Sequence, residues 1–200
     1  MTTNGCIDIL YPRQKGVGLL EVLIALLIFA TGMMGLLATQ LAGKKAGYEA
    51  MQRSIATALA RDILERVQAN PGQIPGYVID NVGDQEHQVS IPATNCEQAG
   101  CTPGQLAAFD LWQWESLLLG VSEKQVGSNV GGLVSPRACI SNEGGVVSVA
   151  ISWLGVTSAR DPAESSCGSE IAGLYDAPDE PVGNNLRRRQ MIMSTYGGGL

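Results

Sequence analysis

A chain of 200 residues has room for one ordinary globular domain with an appended segment. Its formal charge of −6, from 13 Lys and Arg against 19 Asp and Glu, excludes the broad basic face that nucleic-acid binding requires. The hydrophobic share of 45% is ordinary for a soluble protein, but it is concentrated: from Val17 to Ala42 the only charge is Glu21.

The first sixteen residues, "MTTNGCIDILYPRQKG", are mostly polar, with Arg13 and Lys15 near their end. The apolar run that follows is long enough to span a bilayer, which takes about 20 residues in helix. It is too long for the core of a secretory signal, and no small-residue cleavage site closes it. On segment length alone it reads as a single-pass anchor. Lys44, Lys45, Arg53 and Arg61 follow the run closely, and a positive-inside count would leave the C-terminal part in the cytoplasm. The cysteines argue the other way. Cys96, Cys101, Cys139 and Cys167 lie in a polar, loop-rich region, which fits two disulfides and an oxidising compartment. Their closest spacing is C-x4-C and the sole histidine is His87, so zinc is not expected.

Beyond Ala42, Tyr48, Met51, Ile55, Leu59, Ile63 and Val67 recur every three or four residues, one face of an amphipathic helix. Glu49/Arg53, Arg61/Glu65 and Asp62/Arg66 place opposite charges at i,i+4 on its polar side. Asn70-Pro71-Gly72 stops it, so one helix is predicted over Val17–Ala69. Gly43 and Gly47 match G-x-x-x-G, but Lys44 and Lys45 lie between them, and chance is the better account.

From Pro71 to about Gly104 the chain reads as loop, with short extended pieces at Tyr77–Ile79 and Gln88–Ile91. "QLAAFDLWQWESLLL", Gln105–Leu119, predicts a second helix that buries Leu106, Phe109, Trp112 or Trp114, and Leu117/Leu118. An aromatic pair of this kind can form a sugar shelf, but core packing with one ring at the surface outweighs that by roughly five to one. Strands are expected at Leu133–Ile140 and Val146–Trp153 about a Gly144-Gly145 turn, with a last strand at Gln190–Tyr196. Gly155–Asn185 reads as a long loop, and Arg187-Arg188-Arg189 as a solvated flank to the last strand. The fold class is α+β, a small antiparallel sheet laid on a helix. Of the three possible disulfide pairings, Cys96–Cys101 with Cys139–Cys167 is favoured: the first closes a tight loop and the second pins the long one.

No nucleophile–base constellation is present. His87 stands alone in the polar stretch "GDQEHQVS", no glycine pair forms a phosphate loop, and no strand precedes "GVGLLE" as a dinucleotide fingerprint would need. Neither catalysis nor a cofactor nor a metal is expected, and the chain looks like the substrate of a processing enzyme.

"KGVGLLEVLIALLIFATGMMGLLATQ" resembles the start of type IV pilins and type II secretion pseudopilins. That resemblance implies cleavage after Gly16 by a prepilin peptidase, N-methylation of Val17, and Glu21 as the fifth mature residue. The family's usual first residue is Phe, where this chain has Val17. An ionised carboxylate in lipid costs on the order of 2.5–3.5 kcal/mol, so Glu21 needs a partner. The amine created at Val17, or that of a neighbouring subunit in a filament, would supply one, and the helix dipole adds to it. The implied architecture is the type IV pilin fold: a cleaved leader (1–16), the transmembrane half of a long helix (17–43) and a periplasmic head with the rest of that helix (44–200). The implied location is the inner membrane, single pass, and then the pilus at the cell surface.

Within the family, "LLEVLIALLIFATGMMGLLATQ", "FDLWQWESLL" and the Gly-rich approach to "ACISNEGGVVSVAISW" together resemble the PilV type of minor pilin. That implies a subunit that helps start pilus assembly with other minor pilins and the major pilin, supporting twitching motility and adhesion. One alternative is a type II secretion minor pseudopilin, although the small ones are usually shorter than this chain would be after cleavage. The other is an unprocessed membrane-anchored periplasmic binding or enzymatic domain.

Overall fold

The computed structural model describes Gly16 and residues 18–83, 89–121, 124–125, 128–129 and 131–197. The chain divides into two units, residues 1–44 and 45–200. The first unit contributes the start of α1 (Leu19–Ala69), a helix of 51 residues whose remainder belongs to the second.

In the second unit α1 buries Gln52, Ala56, Leu59, Ala60, Ile63, Leu64 and Val67, a stripe at helical spacing. The stripe is rotated from the expected one. Ala56 and Ala60 are fully buried because their small side chains let the helix lie close to its neighbours, whereas Met51 is 49% exposed. Tyr48 and Met51 instead line an open groove of ≈ 770 Å³ with Leu117 and Val134. The helix ends at Ala69, and Pro71 opens a 3-10 helix, Pro71–Tyr77, where its missing N–H is not needed. This stretch was expected to be loop, extended at Tyr77–Ile79. The strand found there, β1 (Ile79–Val82), begins two residues later because Tyr77 is buried as the last residue of the 3-10 turn. Gln88 lies outside the described residues, and Val89–Ile91 forms no strand: the Val89 N–H donates to Glu115 Oε2 at 2.7 Å rather than to a ladder.

α2 (Pro103–Leu118) starts from a capping box. Gln105 N donates to Thr102 Oγ1 at 3.3 Å while Thr102 N donates to Gln105 Oε1 at 2.9 Å. Of the side chains expected inside, Phe109, Trp114 and Leu118 are buried and Leu117 is exposed. Trp114 takes the core position, with its indole N–H donating to Leu59 O at 2.9 Å, and Trp112 packs at the rim against Phe109, ring centroids 5.8 Å apart.

Strands β2 (Lys124–Gln125) and β3 (Ser128–Asn129) form a small hairpin of their own, which the sequence did not predict. The main sheet has the order β1-β4-β5-β6, with β4 Arg137–Glu143, β5 Val146–Leu154 and β6 Arg188–Tyr196, every neighbour antiparallel. β4 was expected from Leu133. It starts at Arg137 because Ser135 has a left-handed φ of 46° and Pro136 has no N–H to give a ladder. Gly144 and Gly145, with φ of 58° and 82°, make the two-residue turn that suits a twisted hairpin. β5 is central: Val147, Val149, Ile151 and Trp153 face the helices, while Ala150 and Ser152 are buried on the other face.

That other face is covered by the loop between β5 and β6, and the arginine run holds it there. Arg188 is only 2% exposed, not solvated as expected. Its guanidinium donates to Asp161 Oδ1 (2.7 Å), Ser165 O (2.8 Å), Cys167 O (3.0 Å) and Pro162 O. Arg187 Nε donates to Gly155 O at 3.0 Å, and Arg189 reaches Thr157 O at 2.6 Å and Glu49 Oε2 at 3.5 Å. Burying Arg188 and half-burying its two neighbours is tolerable because carbonyls and carboxylates of the loop and α1 accept from them.

Candidate processing and assembly segment

α1 opens on Gly18, whose carbonyl accepts from Glu21 N at 2.9 Å and Val22 N at 3.3 Å. Glu21 therefore sits in the first turn, where the unpaired N–H groups and the helix dipole favour a negative charge. Among the described residues no hydrogen bond or ion pair reaches its carboxylate. Gly16 is exposed, and a Cβ built on it meets nothing within 4 Å. Val17 and His87 lie outside the described residues.

From Leu19 to Leu41 the large apolar side chains are exposed all round, from 46% at Val22 to 80% at Leu19. A helix apolar on every face needs an apolar surrounding, and α1 is long and apolar enough at this end to cross a membrane. Its threonines suit that medium. Thr31 Oγ1 donates to Ile28 O at 2.9 Å and Thr39 Oγ1 to Leu36 O at 2.8 Å, so neither hydroxyl is left unsatisfied in hydrocarbon.

Residues 11–37 match the family model of the prokaryotic N-terminal methylation motif, and residues 38–112 match that of the type IV pilin Tt1218. The chain belongs to the type IV pilin family. Its long N-terminal helix, short second helix, four-stranded antiparallel sheet and two disulfides are the α+β pilin fold. The methylation motif implies processing by prepilin peptidase and incorporation with other pilins, and the family matches point to a structural subunit. No curated protein and no solved structure matches it.

In the pilin head the sulfur atoms of Cys96 and Cys101 are bonded, with Cα atoms 5.5 Å apart, as are those of Cys139 and Cys167, 5.9 Å apart. The second bridge ties β4 to the long loop at the point where Arg188 holds it. A polar network joins the end of α1 to α2: Arg66 Nη1 donates to Asp110 Oδ1 at 3.0 Å and to Gln113 Oε1 at 2.7 Å. Tyr77 donates to the other Asp110 oxygen at 2.6 Å, and Asn70 Nδ2 donates to Pro103 O at 2.8 Å. Burial first, then the bond to Asp110, pushes the Tyr77 hydroxyl well above its usual 10.0. Asp110, 8% exposed in an apolar-looking helix, was not foreseen, because its partner Arg66 lies 44 residues away in sequence. Among the described residues no group of three or more His, Cys, Asp or Glu is placed to hold a metal.

Proposed function

We propose that this pilin is a minor pilin of the PilV type, which helps initiate type IV pilus assembly with other minor pilins and the major pilin and is carried into the filament. The supporting observation is the methylation motif over residues 11–37, with Glu21 in the first turn of an apolar helix. Cleavage after Gly16 frees an amine at Val17 one helical turn from Glu21. In the bilayer that amine neutralises the carboxylate. In the filament a neighbour's amine takes its place, so pairing favours extraction from lipid over an unpaired charge. In this reading 1–16 is the leader, 17–43 spans the inner membrane once, and 44–200 is the periplasmic head, where two disulfides form readily.

N-terminal analysis of the mature protein tests the processing: the chain is expected to begin at N-methylated Val17. A chain still starting at Met1 in a processing-competent cell overturns the reading. Deleting the protein separates the pilus from the secretion system. Loss of surface pili and twitching is expected, whereas loss of exoprotein secretion with pili intact makes it a pseudopilin.

A further inference from the structure

The two edges of the main sheet differ. β1 has four residues, a register shift between Ile79 and Val82, an exposed Asp80 and a left-handed Asn81 with φ of 51°. Shortness, irregularity and charge are the usual protections of an exposed edge. β6 has none of these from Gln190 to Tyr196: the stretch QMIMSTY is uncharged, lacks Pro and Gly, and pairs with β5 without interruption.

Which backbone groups face out follows from the ladder. Gly197 N donates to Gly145 O at 2.7 Å, and Gly155 N donates to Arg187 O at 2.7 Å, marking both ends of the β5–β6 pairing. Hydrogen-bonded pairs alternate in an antiparallel ladder, so Arg189, Met191, Met193 and Thr195 bond to β5. Gln190, Ile192, Ser194 and Tyr196 turn their N–H and C=O groups outward, and among the described residues none of those groups has a backbone partner. Beside this edge lies a groove of ≈ 220 Å³ with Leu64 of α1 and Met193 of β6 as its apolar walls and Arg61, Glu65, Gln68, Ser194 and Thr195 around them. A strand added to the edge would place the side chain opposite Met193 in that groove.

We infer that β6 accepts the edge strand of a different pilin-family subunit by strand addition, with main-chain bonds along Gln190–Tyr196 and one side chain in the groove over Leu64 and Met193. This rests on the pilin reading above. Backbone pairing supplies the affinity and the groove selects the side chain. A second copy of this chain is the wrong occupant on two counts. Antiparallel β6–β6 pairing places a two-fold axis normal to the sheet, which reverses the direction of Lys45–Ala69 in one copy. Their N-terminal ends would then leave at opposite sides of the pair, and chains anchored through those ends in one membrane do not meet in that way. The copy's other edge, β1, is too short and irregular to match this ladder.

The test uses the full-length protein in a piliated cell, with a photo-crosslinking residue at Ser194 or, for comparison, at Asp80. A companion variant, Ser194→Pro, removes an outward N–H and leaves the β5 ladder intact. An adduct from position 194 to another pilin-family subunit, with little from position 80, is the expected result. Ser194→Pro is expected to lower the amount in sheared pili about tenfold or more, with Ser194→Ala near wild type. If Ser194→Pro fails to fold, the adduct decides alone. Normal incorporation of a folded Ser194→Pro, or a position-194 adduct only with a second copy of this chain, overturns the inference. Glu21→Ala in the same assay separates the two failures: excluded Glu21→Ala beside normal Ser194→Pro removes the edge alone, while normal incorporation of both removes the pilus reading itself.

Discussion

The guanidinium of Arg188, the first residue of β6, meets the carboxylate of Asp161 at 2.7 Å, and the same side chain donates to the carbonyls of Pro162, Ser165 and Cys167. One strand residue thus holds several points of a loop that has no ladder of its own. Arg188→Ala is expected to lower unfolding stability by about 3 kcal/mol, since it strands buried acceptors and leaves a void. Arg188→Lys restores only part of this, because one ammonium cannot reach the same fork of acceptors. Denaturant titration checks both: the midpoint falls at unchanged slope, and limited proteolysis cuts first between Gly155 and Arg187.

The two disulfides are expected to contribute unequally. Cys139 and Cys167 are 28 residues apart and Cys96 and Cys101 only 5. The entropy removed from the unfolded chain grows with loop length, giving about 3–4 kcal/mol for the long bridge and about 2 kcal/mol for the short one. Thermal unfolding of the Cys139→Ala/Cys167→Ala and Cys96→Ala/Cys101→Ala pairs checks the order. Equal losses from the two pairs would contradict it.

Alkaline pH is expected to weaken the head through Tyr77 and Tyr175. Burial pushes both hydroxyls above the usual 10.0, with Asp110 adding to the rise at Tyr77 and Arg137 and Arg188 opposing it at Tyr175. Above pH 10 the unfolded chain loses these protons while the folded chain keeps them, so the unfolded state gains and stability falls. Below about pH 9 the contribution is fully present and the profile is flat with respect to these groups. Unfolding measured from pH 8 to 11, with Tyr77→Phe reducing the alkaline slope, checks the assignment.

At the other end of the chain, Glu21→Ala is expected to leave cleavage after Gly16 intact while incorporation into filaments falls about tenfold or more, as loss of a charge pairing in apolar surroundings requires. Glu21→Gln should behave similarly, because the amide keeps the shape and loses the charge. Mass analysis of the cell-associated chain and immunoblots of sheared pili give the two readouts. Filaments carrying normal levels of either variant would remove Glu21 from assembly.

The elements legible in the sequence are those whose period is unbroken. α1 ends at Ala69, just before its Asn70-Pro71-Gly72 stop, and β5 follows its alternation from Val146. Hydrophobicity at Leu133 and Val134 predicts too early a start for β4, because the Ser135-Pro136 break, not side-chain pattern, governs the backbone there. The rotated face of α1 had a similar cause: Ala56 and Ala60 look neutral on a pattern, yet closeness of packing selects them over Met51. Polar interior groups were the least legible. Arg188 reads as part of a solvated charge run, and Glu115, 4% exposed, reads as the polar side of α2, because their acceptors and donors come from distant loops. Glu21, by contrast, stands out by composition alone, one carboxylate in an apolar run, whereas Gly16 is singled out only by the resemblance to pilins.

The covalent link between Cys139 and Cys167 encloses the turn, all of β5 and the first half of the loop. A single peptide-bond break anywhere between those two residues leaves one covalent molecule, with β6 and the C-terminal residues still attached to the helix. A subunit displayed outside the cell therefore survives one cut by an environmental protease across this stretch without shedding its last strand.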